Sequence, residues 1–321
     1  VAQINQALVD IADMTHQIRA QQGTGRDASA LMDQRQRLVD SIASIVPLRE
    51  IDRGDGQIAL FTTAGAMLLD GRPSQLGFAP VGVITPDMSL TANSLSGLTL
   101  NGQPIPTAGN TSLIAGGSLA AGFALRDELA PMAQEQLDAV ARNLVERFAD
   151  PALDGTRAPG DPGLFTDAGA AFQTVDEVGL SQRISVSALV DPVRGGALWR
   201  LRDGLGAVAP GPPGNSALLG ALQLALTDPR TVASGGFTSG SRSFSGLASD
   251  LLSGVASARL TSDAEASFAS AQFSALRGLE LQGGVDTDQE LQNLLQIEQA
   301  FAANARVIQT VDDMIQTLLG I

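Results

Sequence analysis

GGVDTDQELQNLLQIEQAFAANARVIQTVDDMIQTLLGI, residues 283–321, is the stretch whose reading decides the fold. Thr287 with Glu290 three residues later is a capping box, in which hydroxyl and carboxylate satisfy backbone donors at a helix start. From there Leu291, Leu294, Glu298, Phe301, Ala305, Ile308, Asp312, Ile315 and Leu318 recur at steps of three and four, and seven of these nine are apolar. That is a helix with one apolar seam, uninterrupted by Pro or Gly until Gly320. It would be roughly 45 to 50 Å long, more than a compact domain needs. Core packing accounts for an ordinary amphipathic helix; one of this length calls for another long helix along its seam.

Working outward, Phe244, Leu247, Leu251, Val255, Ala258, Phe273, Leu276 and Leu279 predict a second very long helix directly before it, with an Ala- and Ser-rich middle at Ser257 to Ser270. The two run antiparallel if Gly283-Gly284 makes the bend. At the other end Val1, Ile4, Leu8, Ile11, Thr15 and Ile18 predict a long helix up to Gly23, and Leu31, Leu38, Ile42 and Ile45 a second one that Pro47 ends. The chain opens on Val inside a helical pattern, so a preceding N-terminal segment is expected to be missing from it. From Leu48 to Asn110 the period changes to that of a small β domain, with a hairpin turn at Asp55-Gly56, strand character over Gln57 to Thr62 and Met67 to Leu69, and short apolar pieces at Val81 to Ile84 and Leu98 to Leu100. Helix returns at Gly116 with Leu119, Phe123, Leu129, Met132, Leu137, Val140, Leu144 and Phe148 as its apolar face. Ile184, Val186, Ala188 and Val190 alternate as a half-buried strand ending at Asp191-Pro192, Pro210 to Pro213 reads as a linker, and Asn215 to Leu226 as a short helix.

The fold class expected is therefore α+β, elongated and multi-domain, with long antiparallel, coiled-coil-like helices from both chain ends. Residues 1–46, 116–150 and 214–321 make a discontinuous helical domain, and 47–115 a β-rich insert domain. Residues 151–213 are a turn-rich segment with strands, packed with the β-rich domain or linking back to the helices.

Composition excludes several chemistries. All 20 basic residues are Arg, and 34 acids give a formal charge of −14, so nucleic acid and anionic membrane surfaces are repelled. Without Cys there is no disulfide framework, thiolate metal site or thiol nucleophile. No apolar run approaches the roughly 20 residues that span a bilayer. Only 4% of residues are aromatic, so cores must be filled by Leu, Ala, Val and Ile.

Candidate sites are few. His16, the single His, excludes a multi-His metal centre and reads as a solvated helix residue. Asp150, Asp154, Asp161 and Asp167 crowd one loop and have the oxygen chemistry for Ca2+, yet lack EF-hand spacing; turn formation accounts for them. Gly204 and Gly206 lack the third glycine of a dinucleotide loop, and Arg53-Gly54-Asp55 reads as a turn. Asp33 and Arg37 are spaced as a solvated helix pair. No catalytic residue, cofactor or metal is expected, and no enzyme activity.

The wording of several stretches is more particular than their periodicity. NLLQIEQAFAANARVIQT with its closing LLGI resembles the C-terminus shared by flagellar rod, hook and hook-associated proteins. ALMDQRQRLVDSIASIV, the Gly-Gly-x-Leu start at Gly116, Leu125 to Asp127, Gln136-Leu137-Asp138, Asp161 to Phe165 and GLSQRISVSALVDP resemble the flagellar hook-associated protein 1 (FlgK) family. That resemblance implies a structural protein of the hook-filament junction, exported unfolded through the flagellar type III apparatus to an extracellular position. It implies self-assembly into a ring, contacts with hook protein and the second hook-associated junction protein, and a cytoplasmic export chaperone at the C-terminal helix. The seam residues Leu291, Leu294, Phe301, Ile308, Ile315 and Leu318 would pack against the N-terminal helix absent here and neighbouring subunits. The family often has larger residues where this chain has Ile297 and Ala303, and the chain alone is expected to stay a monomer. Two other readings remain: another axial protein such as hook protein, which the block from Gly116 to Pro151 disfavours, and a secreted carboxylate-dependent hydrolase.

Overall fold

The computed structural model describes residues 1–283, 294–306 and 309. They fall into two units, Val1–Asp250 and the chain from Leu251 onward.

The first unit is organised on α1, Ala2–Gly23. Its stripe emerges as the sequence predicts, with Ile4, Leu8, Ile11 and Ile18 wholly enclosed. Helix α2, Ser29–Ala43, lies against α1 and adds Val39 and Ile42, with Val46 just beyond it. A four-stranded antiparallel sheet follows in the order β1 (Leu48–Gly54), β2 (Gln57–Thr62), β3 (Met67–Asp70) and β4 (Arg72–Pro73). Asp55 and Gly56, both at positive φ, make the tight turn that joins β1 to β2, as an Asp-Gly pair between two strands dictates. A smaller sheet of β5 (Leu76–Gly77), β6 (Leu98–Leu100) and β7 (Gln103–Ile105) closes through Asn101-Gly102 in the same manner.

Helices and strands share one core here: Ile58, Leu60, Leu68, Leu69, Leu76 and Leu98 pack with the α1 and α2 residues and with Ile114 and Phe123. Two polar side chains fix the docking. Asn5 on α1 behaves like a strand residue toward β5, its amide donating to the Leu76 carbonyl (2.7 Å) and its oxygen accepting from the Leu76 N–H (2.9 Å). Arg35, buried in α2, donates to the Gly56 carbonyl (2.5 Å) in the β1–β2 turn and to the Thr15 hydroxyl on α1. Among the charges of α2, Arg35 is thus the one that ties elements together. Burial pushes the Arg35 guanidinium below its ordinary pKa, and Glu50 and Asp52 oppose that.

At Gly116 and Gly117 the backbone takes φ of 81° and 75°, and a Cβ on Gly117 would collide with the Ile45 carbonyl. Only glycine lets the chain pass there and start the next helix. That helix comprises α3 (Gly117–Ala124), a π-helical turn at Leu125–Leu129, and α4 (Ala130–Ala149). Its apolar face departs from expectation: Leu129, Met132 and Leu137 are about half exposed, while Ala139, Val145 and Phe148 are buried together with Asp138, Asn143 and Arg147.

Beyond α4 come β8 (Phe165–Asp167), α5 (Leu180–Arg183) and β9 (Ile184–Val186), β8 and β9 pairing antiparallel. The strand expected through Val190 stops at Val186, because Ser187 and Ala188 carbonyls accept turn hydrogen bonds from Val190 and Asp191. Short helices α6 (Arg200–Asp203) and α7 (Ala217–Thr227) and the two-residue strands β10 (Arg230–Thr231) and β11 (Ser241–Arg242) lead to α8, Phe244–Gly283. With 40 residues, α8 is about 60 Å long. The bend expected at Gly283-Gly284 and the capping box at Thr287 lie outside the described residues.

Leu8 is wholly enclosed in the shared core, whereas Leu260 on α8 is 71% exposed. Leu8→Ala is expected to cost about 2–5 kcal/mol in urea denaturation, and Leu260→Ala within about 0.5 kcal/mol of the parent.

Candidate assembly surface

In the second unit the described apolar side chains stand in solvent. On α8, Leu252, Val255, Leu260, Phe268, Phe273, Leu276 and Leu279 are all more than half exposed. Leu252, Val255, Arg259, Ser262, Ala266, Ala269, Phe273 and Leu276 recur at spacings of three and four, the spacing of a heptad seam, with Arg259 and Ser262 as its polar members. Large residues occupy the ends of that seam and small ones its middle. Of the seam residues named for the terminal helix, Leu294 and Phe301 are helical and exposed at 63% and 77%, and Leu295 and Ile297 beside them are exposed too. Leu291, Ile308, Ile315 and Leu318 lie outside the described residues. Exposing so many large apolar groups on two helices is costly for a solitary chain in water.

The acidic loop is consumed by the fold itself. Asp150 accepts from the Ala152 N–H (3.0 Å) and from Arg230 (2.7 Å). Asp154 accepts from the Thr156 N–H and hydroxyl (3.0 and 2.6 Å) and, through its other oxygen, from the Leu205 N–H (2.7 Å). Asp161 caps Ala158, and Asp167 holds Arg183 in a bidentate pair. The four carboxylates thus serve four separate tasks. Among the described residues no group of three or more His, Asp or Glu side chains is arranged to hold a metal ion. The glycine turn at Gly204 and Gly206 belongs to the same knot: its N–H groups face Asp154 and the Thr156 hydroxyl, and are spent there instead of on a phosphate. His16 is exposed on α1 beside a shallow cleft of about 40 Å³.

A few polar groups organise this half of the unit. Arg147 is wholly enclosed. Its guanidinium donates to the Asn143 side chain and to the carbonyls of Ala225, Asp228 and Arg242, at 2.5 to 2.7 Å. Asp138, also buried, accepts from the Gly179 and Ser181 N–H groups and thereby caps α5. Arg126, on the π-turn, pairs with Asp127 while lying over the rings of Phe78 and Phe123. The sequence signals were the Leu125 to Asp127 and Gln136-Leu137-Asp138 stretches of the resemblance, which contain Arg126 and Asp138 without their partners, and the Asn143/Arg147 spacing, which looks the same as a solvated i, i+4 pair. No described helix is long and apolar enough to cross a membrane.

Comparison with known proteins gives two family matches. Residues 1–165 match the flagellar hook-associated protein FlgK helical domain, and residues 282–321 match the C-terminal region of the flagellar basal body rod FlgEFG proteins. Among solved structures, the flagellar hook junction protein FlgK from Burkholderia pseudomallei is similar at 22% identity and a TM-score of 0.37. That match covers 52% of this chain and 31% of the solved one, so the chain spans about a third of that relative. No curated protein matches.

Burial pushes the Asp154 carboxyl up, but the Thr156 hydroxyl and the Leu205 and Thr156 N–H groups outweigh it and hold the group below its ordinary value. A depressed folded-state pKa stabilises the fold above the unfolded value of about 3.9, and that contribution is lost as pH falls through the lower folded value. Asp150 behaves alike, through the Ala152 N–H and Arg230. Urea denaturation is therefore expected to show stability falling below about pH 4. Asp154→Asn should cost about 1–3 kcal/mol at pH 7 and flatten the fall.

Proposed function

The chain belongs to the flagellar hook-associated protein FlgK family, whose helical domain matches 165 of its 321 residues, and from that premise we propose that it is a structural component of the hook-filament junction. The family match over residues 1–165 carries the reading. The rod-protein match over residues 282–321 alone would suit any axial protein; the helical-domain match favours the junction among them.

In this reading the first unit is the body, closed on the α1 stripe, and the exposed seams of α8 and of the terminal helix are contact surfaces. Leu252, Phe273, Leu276, Leu294 and Phe301 supply apolar area to helices of neighbouring subunits, with Leu291, Ile308, Ile315 and Leu318 continuing the terminal seam. The subunits form a ring, which hook protein meets on one side and the second hook-associated junction protein on the other. Before export through the flagellar type III apparatus the same apolar seam is covered by a cytoplasmic chaperone, which keeps it from aggregating. Residues 1–46, 116–150 and 214–321 form a discontinuous helical domain, 47–115 a β-rich insert that shares its core with α1 and α2, and 151–213 a turn-rich segment that links back to the helices. The role is mechanical, and no residue is assigned to catalysis.

Deleting the gene in the source organism tests this. Electron microscopy is expected to show hooks without filaments, with flagellin lost to the medium. The intact gene should restore filaments, and a Leu294→Asp/Ile308→Asp double variant should fail in nearly all cells. Normal filaments in the deletion strain would refute the junction role.

A further inference from the structure

Residues 228–250 cross the last turns of α4 and include the first turns of α8. This segment is attached in an unusual way. Among the described residues of 228–250, Val232, Phe237 and Phe244 are only partly buried, and Leu247 is the one apolar side chain that is fully enclosed. The attachment is polar and centres on Arg147. One guanidinium nitrogen donates to the Ala225 and Asp228 carbonyls (2.7 and 2.5 Å) and the other to the Arg242 carbonyl (2.7 Å), so a single side chain grips both ends of the β10–β11 pair. No carboxylate is hydrogen-bonded to it. Its charge is met by carbonyl dipoles at the C-terminus of α7, where the helix end is negative.

The remaining fastenings flank this clamp. Arg230 pairs with Asp150 of the α4 terminus (2.7 Å). Ser234 bonds Glu177, which Arg142 of α4 also holds. Gly235, at φ +77°, lies so close to α4 that a Cβ on it would fall 2.6 Å from the Ala139 methyl. Arg242 pairs with Asp250 on α8. Beside the clamp an open cavity of about 510 Å³, lined by Arg147, Leu224, Asp228 and Arg230 among others, leaves room for movement.

We propose that residues 228–250 form a strap that opens as one cooperative unit, with the Arg147 guanidinium as its fastener, releasing the first turns of α8 while the α1, α2 and sheet core stays closed. A segment held by hydrogen bonds and little apolar area sits at the low-stability end of a fold. Losing the guanidinium would remove the shared donor from the buried Ala225 carbonyl and the partly buried Asp228 and Arg242 carbonyls at once, so the segment opens to water as a whole. The fold thereby has one point at which the start of its longest described helix is held or freed without unfolding the body.

Hydrogen-exchange mass spectrometry on the full chain tests the proposal with two independent variants. Arg147→Lys removes the planar fork that reaches three carbonyls. Gly235→Ala leaves the clamp intact and pushes the strap away from α4. Both are expected to raise exchange over residues 228–250 at least ten-fold, with residues 4–12, 39–46 and 58–62 unchanged. An unchanged rate over 228–250 in Gly235→Ala, or a uniform rise across residues 1–250, would overturn it. Should Arg147→Lys fail to fold, the Arg147 side chain supports the whole body and the assignment as a local fastener falls.

Discussion

The Arg147 guanidinium, enclosed by protein and shared among three backbone carbonyls, is the constraint on which the second half of the first unit depends. Beyond Phe123 the described residues bury little apolar bulk: their buried hydrophobic side chains are a few alanines with Val145, Phe148, Leu180, Val190, Leu205 and Leu247. Arginine closes what packing leaves open. Arg157 donates to the Ala149 and Asp161 carbonyls, Arg183 to Val178, Arg194 to Val186 and Arg202 to Gly211. A chain without lysine is suited to this, because each guanidinium presents five donors in a fixed fork and bridges loops that a single ammonium would not span.

The first half follows a different logic. There the α1 stripe supplies a continuous apolar surface, and the sheets need only present Ile58, Leu60, Leu68 and Leu69 to it. Asn5 and Arg35 then set register and orientation, one by pairing with a strand and the other by gripping a turn. One unit thus joins an apolar core and an arginine-stitched region, which is why its opening is expected to begin in the second.

Periodicity made the helices and the hairpin legible, since α1, α8, β2 and the Asp55-Gly56 turn are local patterns whose cause lies within a few residues. The roles of Arg147, Arg35 and Asp138 were not legible, although the last two lie in stretches that carry the resemblance. Each is polar on a helix and reads as solvated, and its burial is decided by hydroxyl, carbonyl or N–H groups 20 to 95 residues away. Leu129, Met132 and Leu137 show the converse, an apolar pattern with nothing laid on it. Asp154 and Asp161 hold turns within their own loop, while the link from Asp154 to the Gly204 turn and the pairs of Asp150 with Arg230 and Asp167 with Arg183 required the fold. Of the terminal seam, Leu294 and Phe301 are placed on a helix with their side chains exposed.

The central claim is that the apolar seams of α8 and the terminal helix are covered when the protein is in place. The chain has no cysteine, so a single introduced thiol is an unambiguous reporter. Leu276→Cys and Phe301→Cys, with Val193→Cys, 94% exposed in the first unit, as control, can be labelled by a maleimide on free protein and on isolated flagella. The account predicts rapid labelling of all three in free protein, and protection of the first two alone by at least ten-fold in flagella. Equal labelling at Leu276→Cys and Phe301→Cys in both states would contradict it.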